Sequence, residues 1–113
     1  TINRSQGFTV TWTAPRGITE VTISIISNLF QSTASKDIVC YAKAADGRFT
    51  IPASVLTQFD ASPPLGGTGN RVTDRIPGLM GISGRTSYVA QPMGLDEFTV
   101  DVYSGTFRLV VFQ

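Results

Sequence analysis

The sequence predicts an all-β protein, folded as one antiparallel β-sandwich of seven or eight short strands. Apolar and polar residues alternate over several short runs, which is the pattern of a strand with one buried face. Turns that contain glycine or proline separate these runs at the spacing of sandwich folds. No helical repeat of apolar residues lies between them, which argues against a parallel sheet joined by crossover helices.

Length and composition indicate one compact domain. A chain of 113 residues is predicted to form a single domain, residues 1–113, that buries a core without disulfides or metals. Charged residues are 15% of the chain and the net charge is +1, so neither nucleic acid nor an anionic membrane surface is a predicted partner. No apolar run approaches the roughly 20 residues that span a membrane.

The first two strands are predicted on either side of a proline- and glycine-containing turn at residues 14–17. Phe8, Val10 and Trp12 alternate with threonine residues in the clearest period-two run of the chain. A second run of this kind covers residues 21–26. Threonine suits the outward positions because its branched side chain fits a pleated surface.

The central segment is predicted as strand, turn, strand and helical turn. The strands cover residues 37–44 and 48–51, and the turn between them lies at Asp46–Gly47, a turn-forming pair. Pro52 then starts one short helical segment near residues 53–59, because its fixed φ suits the first turn of a helix. Three apolar residues fall on one side of this segment at helical spacing: Val55, Leu56 and Phe59.

The C-terminal part begins with residues 60–78, a proline- and glycine-rich segment that is predicted to be a long loop, with a short strand around residues 71–76 as an alternative for part of it. Two strands are predicted between residues 79 and 91, on either side of Gly84. The chain then ends in a predicted hairpin over residues 98–112, with a two-residue turn at Ser104–Gly105.

The predicted core combines the inward-facing residues of two sheets that pack face to face. It comprises Phe8, Val10, Trp12, Val21, Ile23, Ile25, Cys40, Phe49, Ile51, Phe98, Val100, Val102, Leu109 and Val111. In the last strand this assignment places Val110 and Phe112 on the opposite face. Apolar residues on both faces predict a covered or paired strand, so Phe112 is a candidate partner contact.

Three segments of the chain resemble a known module. GFTVTWT (residues 7–13), CYAKAADGRFTIPASVL (residues 40–56) and GLDEFTVDVYSGTFRLVVFQ (residues 94–113) are similar to its opening strand, central strand pair and closing hairpin. The module is an immunoglobulin-like β-sandwich found at the C-terminal end of large secreted bacterial proteins, especially those of acidobacteria. The resemblance implies an accessory domain of an extracellular or surface protein, and it brings no active-site residue with it.

Catalytic chemistry is not predicted. Histidine is absent, which excludes histidine-dependent nucleophile pairs and the commonest general base. Cys40 lies in an apolar strand pattern and is interpreted as a core residue. Asp96, Glu97 and Asp101 could bind Ca²⁺, but no loop of known ligand spacing contains them, and a solvated strand face is the favoured interpretation. No catalytic residue, cofactor or metal ligand is therefore predicted.

The expected function is that of a non-catalytic structural or adhesive module of an extracellular or cell-surface protein. Its expected partner is a neighbouring domain or an identical subunit. One alternative is a subunit of a surface filament or multimer, joined through the apolar closing strand. The other alternative is a carbohydrate-binding module. The residues that are candidates for ligand contacts are Tyr41, Tyr88, Tyr103, Arg71 and Arg75.

Overall fold

The structure is a computed structural model that describes residues 1–27, 35–62, 78–90 and 98–113. These residues form a mostly β protein with antiparallel sheets of two and four strands and one short helix. The predictions for Arg71, Arg75, Asp96 and Glu97, and for the loop over residues 63–77, lie outside the described residues.

The described part of the chain contains six strands. They are β1 (Phe8–Thr11), β2 (Glu20–Ser27), β3 (Asp37–Lys43), β4 (Arg48–Ile51), β5 (Gly78–Ala90) and β6 (Phe98–Val110), with a 3-10 turn at Ala44–Asp46 and helix α1 at Ala53–Leu56. Strand β1 pairs with β4, and the larger sheet has the order β3-β2-β5-β6. All pairings between these strands are antiparallel.

The turn predicted at Asp46–Gly47 is confirmed, but it does not close a hairpin. Gly47 has φ 65°, a left-handed conformation that glycine adopts without steric cost. The strands on its two sides belong to different sheets, because β3 pairs with β2 and β4 pairs with β1. The chain therefore passes from one sheet to the other at this turn. The indole Nε1 of Trp12 donates a 2.9 Å hydrogen bond to the Ala44 carbonyl and holds the turn in place.

The helical segment predicted after Pro52 is confirmed. Pro52 precedes α1 with φ −70°, and hydrogen bonds within residues 52–59 continue the turn beyond the helix itself. Leu56 and Phe59 are buried at 0% and 1% exposure, and Val55 packs against the same core. The helical spacing of these three residues therefore identified the buried face correctly.

The C-terminal strands differ from the prediction. Residues 79–91 were expected to form two strands and residues 98–112 a hairpin, but β5 and β6 are continuous strands of 13 residues each. Gly84 and Gly105 lie inside this ladder rather than in turns. A Cβ at Gly84 would approach Ile18 Cγ2 to 2.8 Å, and one at Gly105 would approach the Ile82 carbonyl to 2.7 Å. Glycine is present here because a neighbour comes close.

The hydrophobic core collects side chains from both sheets, from the helical segment and from both ends of the chain. Its buried members are Ile2, Val10, Val21, Ile23, Ile25, Ala44, Ile51, Leu56, Phe59, Val110 and Phe112. Five predicted core residues are among them, and four more, including Trp12 and Cys40, are partly buried against this cluster. The side chains of Phe98 and Val100 lie outside the description.

The faces predicted for the closing strand are wrong. Phe112 is 1% exposed and stacks on Phe59, with ring centroids 5.0 Å apart, so it does not face outward as a partner contact. Leu109, predicted to be in the core, is 64% exposed. The reason is the missing turn at Ser104–Gly105: β6 continues through these residues, so even-numbered Val110 faces inward and Phe112 follows it into the core. Since side chains alternate along a strand, an error of one residue inverts the whole face.

Candidate functional site

The candidate site is the pair of long strands β5 and β6, residues Gly78–Ala90 and Phe98–Val110, which we call the β5–β6 ribbon. The two strands pair over their whole length, from Gly78 with Val110 to Ala90 with Phe98. Strand β2 pairs with β5 only as far as Arg85. The last five residue pairs of the ribbon, residues 86–90 with 98–102, therefore extend beyond the rest of its sheet.

The dimensions of the molecule reflect this extension. Its principal extents are 61 × 29 × 21 Å, and its radius of gyration is 17.6 Å. A compact domain of this length has a radius of gyration of about 13 Å. The excess shows that a substantial part of the chain lies away from the core, and the ribbon is the longest element of the described residues.

Exposed apolar side chains are concentrated on the ribbon. Among the described residues, six of the eight exposed large hydrophobic side chains belong to it: Tyr88, Val89, Val102, Tyr103, Phe107 and Leu109. Every residue from Asp101 to Leu109 is exposed, so this part of β6 is uncovered on both faces. A cluster of exposed apolar residues on a monomer often marks an interaction surface.

Strand β6 is also an edge strand, since it pairs only with β5 among the described residues. The hydrogen bonds at the ends of β2 show which of its main-chain groups point outward. The Ser27 amide donates to the Lys36 carbonyl at 2.8 Å, and the Ala44 amide donates to the Thr19 carbonyl at 2.9 Å. Odd-numbered residues of β2 therefore bond to β3, and even-numbered ones bond to β5.

The same alternation continues across the sheet because the registers contain no bulge. Odd-numbered residues of β5 bond to β2, and even-numbered residues of β5 and β6 bond to each other. The main-chain N–H and C=O groups of the odd-numbered residues of β6 are therefore directed at the free edge. These residues include Asp101, Tyr103, Gly105, Phe107 and Leu109.

The outer face of the sheet, directed away from the core, carries the side chains of Tyr103, Phe107 and Leu109. Phe107 lies across β5, because a Cβ at its register partner Gly81 would come within 2.6 Å of the Phe107 Cε1. Gly81 thus leaves room for the ring. Phe107 nevertheless remains 63% exposed.

A polar cluster ties the two strands together near the middle of the ribbon. The Arg85 guanidinium donates to Asp101 Oδ2 at 2.9 Å, and the Ser87 hydroxyl donates to Asp101 Oδ1. The hydrogen bond from Ser87, followed by the hydrogen bond and charge of Arg85, lowers the pKa of Asp101 against an opposing desolvation effect. Thr86 Oγ1 donates a 2.8 Å hydrogen bond to the Gly17 carbonyl, which links the ribbon to the turn at residues 14–17.

A groove runs between β1 and the inner face of the ribbon. It consists of two adjoining cavities of about 420 and 480 Å³ that share Thr11, Ile82 and Thr106. Its walls are mainly threonine and apolar side chains, with Arg108 at one end. The groove exists because the two strands β1 and β4 are narrower than the sheet of four strands and leave the inner face of β6 uncovered.

The candidate tyrosines are exposed but are not brought together. Tyr41 and Tyr103 lie on the outer face, on the two opposite edge strands β3 and β6. Tyr88 occupies an even-numbered position of β5, and the even-numbered Met80 and Ile82 pack against the core, so Tyr88 belongs to the other face. No three-tyrosine platform therefore forms among these residues.

Cys40 and Asp101, which the sequence analysis considered for chemistry, both make contacts with other residues of the protein. Cys40 is partly buried against the core, and desolvation raises the pKa of its thiol. Asp101 is engaged by Arg85 and Ser87. Among the described residues, no group of acidic, histidine or cysteine side chains has the arrangement of a metal site, and no helix is long and apolar enough to cross a membrane.

Sequence reasoning missed the continuity of β5 and β6 and therefore the ribbon. The apolar runs on the two sides of Gly105 do not share a phase, because they fall on even-numbered residues up to Val102 and on odd-numbered residues from Phe107. The alternation therefore contained no signal of one continuous strand. Comparisons with protein-family models, with curated proteins and with solved structures found no match to this chain.

Proposed function

We propose that this chain is a non-catalytic structural module of an extracellular or cell-surface protein, and that it joins identical subunits through the β5–β6 ribbon. The observation that carries the proposal is the exposure of β6 on both faces between Asp101 and Leu109, together with a main-chain edge that no other described strand pairs with. Free edges add strands from neighbouring chains when nothing blocks them.

The finer fold belongs to the same proposal. An immunoglobulin-like β-sandwich is supported by the single cluster of buried residues to which both sheets contribute, with Val10 and Ile51 from one sheet and Ile23 and Ile25 from the other. Inner faces that share a core in this way are typical of sandwiches. The groove beside β1 then corresponds to a part of the sandwich where the second sheet is narrow.

The energy available from the apolar side chains is enough to matter. Burying one large apolar side chain fully contributes about 1.5–3 kcal/mol. Val102, Tyr103, Phe107 and Leu109 are 48–64% exposed, so covering their exposed parts in two copies supplies on the order of 7–14 kcal/mol. Association itself costs about 4–15 kcal/mol of lost freedom. Apolar burial thus roughly offsets this cost, and main-chain hydrogen bonds at the edge supply the surplus.

The charge of the chain does not oppose self-association. Nine basic and eight acidic residues give a net charge of +1, so two copies repel each other weakly. A carbohydrate-binding role has less support, because Tyr88 lies on a different face from Tyr41 and Tyr103. The ribbon instead carries Tyr103, Phe107 and Leu109 on one face of one strand.

Light scattering over a series of protein concentrations tests the proposal. We expect the wild-type chain to associate as concentration rises. We expect the Phe107→Ser/Leu109→Ser variant to weaken the association by at least tenfold, equivalent to about 1.4 kcal/mol. The matched control is Val39→Ser/Tyr41→Ser, which removes two exposed residues of the same outer face on the opposite edge strand.

The control variant should associate as the wild-type chain does. A wild-type chain that stays monomeric at every concentration contradicts the proposal. Equal weakening in both variants would also contradict it, because it would assign the contact to the whole outer face rather than to the ribbon.

A further inference from the structure

We infer that β6 pairs antiparallel with β6 of a second copy, in one register, around a two-fold axis that passes through Gly105. The inference rests on the proposed function, since it specifies how identical chains associate. Such pairing joins two sheets of four strands into one sheet of eight and covers the β6 edge from Asp101 to Leu109. Beyond Leu109 the same edge is already bonded to Ile2, through the Val111 carbonyl and the Gln113 amide.

The main-chain N–H and C=O groups at the β6 edge have the orientation that this pairing requires. A two-fold axis perpendicular to the sheet keeps the outer face on the same side, so it places odd-numbered residues of one β6 opposite odd-numbered residues of the other. These are the residues whose N–H and C=O groups point to the free edge. Pairing of the five odd positions between Asp101 and Leu109 forms about ten main-chain hydrogen bonds, which matches the number in an ordinary specific interface.

The side chains select the register. With Gly105 opposite Gly105 of the second copy, Tyr103 lies opposite Phe107 on both sides of the axis. Aromatic pairs of this kind are favourable across antiparallel strands. A shift by two residues in one direction places Tyr103 opposite Gly105, and a shift in the other direction places it opposite Leu109. Both shifts separate the two aromatic residues.

The charges agree with the same register. Asp101 lies opposite Leu109, and Arg108 lies opposite Val102, so no like charges face each other. Like charges directly opposite each other would destabilise the pair. The Arg85–Asp101 ion pair within each chain is not disturbed, because it joins side chains on the outer face, whereas the pairing uses main-chain groups at the edge.

The other edge of the sheet is a poorer site for such pairing. Strand β3 has 7 residues, compared with 13 in β6, and it carries Asp37 and Lys43 at its two ends. Short edge strands with charged residues are the common way in which proteins prevent edge pairing. Strand β6 has fewer charges for its length between Thr99 and Val110.

Cysteine crosslinking tests the register without removing the aromatic residues. In a Cys40→Ala background, Val102→Cys/Arg108→Cys places two pairs of thiols opposite each other at a Cα separation of about 4.5 Å, within reach of a disulfide. The two positions of one chain are six residues apart, about 20 Å along the strand, so they cannot pair with each other.

Two variants with a single cysteine each detect the two shifted registers. Ser104→Cys forms a dimer only when Ser104 faces itself, and Thr106→Cys forms a dimer only when Thr106 faces itself. Under mild oxidation with oxidised glutathione we expect a covalent dimer from the Val102→Cys/Arg108→Cys variant and monomers from both single variants.

Each other outcome overturns the inference. A dimer from Ser104→Cys or Thr106→Cys alone places the axis elsewhere. No covalent dimer from any variant, in samples that light scattering shows to be associated, contradicts β6 pairing and leaves the proposed self-association intact. Samples that remain monomeric contradict both proposals, so the two failures are distinguishable.

Discussion

The closed and open sides of this protein differ in what their strands contact. On the closed side, β2 lies between β3 and β5, and its inward residues Ile23 and Ile25 are fully buried. Ile51 and Leu56, which meet them in the core, are equally buried. On the open side, β6 has one neighbouring strand within the described part of the chain and is exposed on both faces between residues 101 and 109. Alternation of apolar residues thus determines burial only where another layer covers the strand.

This difference separates stability from association. Closed-side residues lose their apolar surface when the chain folds, so the cost of removing them appears as free energy of unfolding. Open-side residues stay exposed in the single chain, so their apolar surface is available to a partner. Substitutions on the two sides should therefore affect different measurements.

The largest expected effect comes from one buried phenylalanine of the core. Phe112 is 1% exposed and stacks on Phe59, so Phe112→Ala should lower the free energy of unfolding by about 3–5 kcal/mol. Phe107→Ala, on the exposed part of β6, should change it by less than about 0.5 kcal/mol in dilute protein. Urea unfolding monitored by the fluorescence of Trp12 measures both values. Similar losses for the two variants would contradict the division into two sides.

A smaller effect, with a defined pH dependence, is expected at the polar cluster of the ribbon. The pKa of Asp101 is lowered in the folded protein by Ser87 and Arg85. The unfolded state therefore binds more protons in acid, and stability rises with pH in that range. The stabilisation by Asp101 should be complete above the ordinary aspartate pKa of about 4 and should be lost as pH falls through the lower folded value.

Asp101→Asn provides the comparison. The wild-type chain should be slightly more stable than the variant at neutral pH, and the difference should shrink when urea unfolding is repeated at about pH 3. The effect is small because the Arg85 and Asp101 side chains are 41% and 31% exposed, and water screens exposed ion pairs. A difference that grows in acid would contradict the role of the charged carboxylate.

The closed side was largely predictable from the sequence. The alternation through Val10, Val21 and Ile51 and the helical spacing of Leu56 and Phe59 identified buried residues without error. The turn at Gly47 followed from its residue types. These signals are local, and each of these elements packs against a second layer as the pattern assumes.

The open side was not predictable in the same way. The sequence predicts a break between two strands at Gly84 and a turn at Ser104–Gly105, but Gly84 and Gly105 lie where Ile18 and the Ile82 carbonyl come close, which depends on tertiary neighbours. The faces of the last strand depended on the same missing turn, because β6 continues through Ser104–Gly105 in its pairing with β5. Contacts between residues so distant in sequence leave no periodic signal.

Hydrogen exchange at the β6 amides tests the central claim most directly. At low concentration the amides of Ser104, Thr106 and Arg108, which bond to β5, should be protected, and those of Tyr103, Phe107 and Leu109 should exchange quickly. At concentrations where light scattering shows association, the second group should become protected as well. If the odd-numbered amides exchange equally fast in the associated state, β6 does not join the two copies.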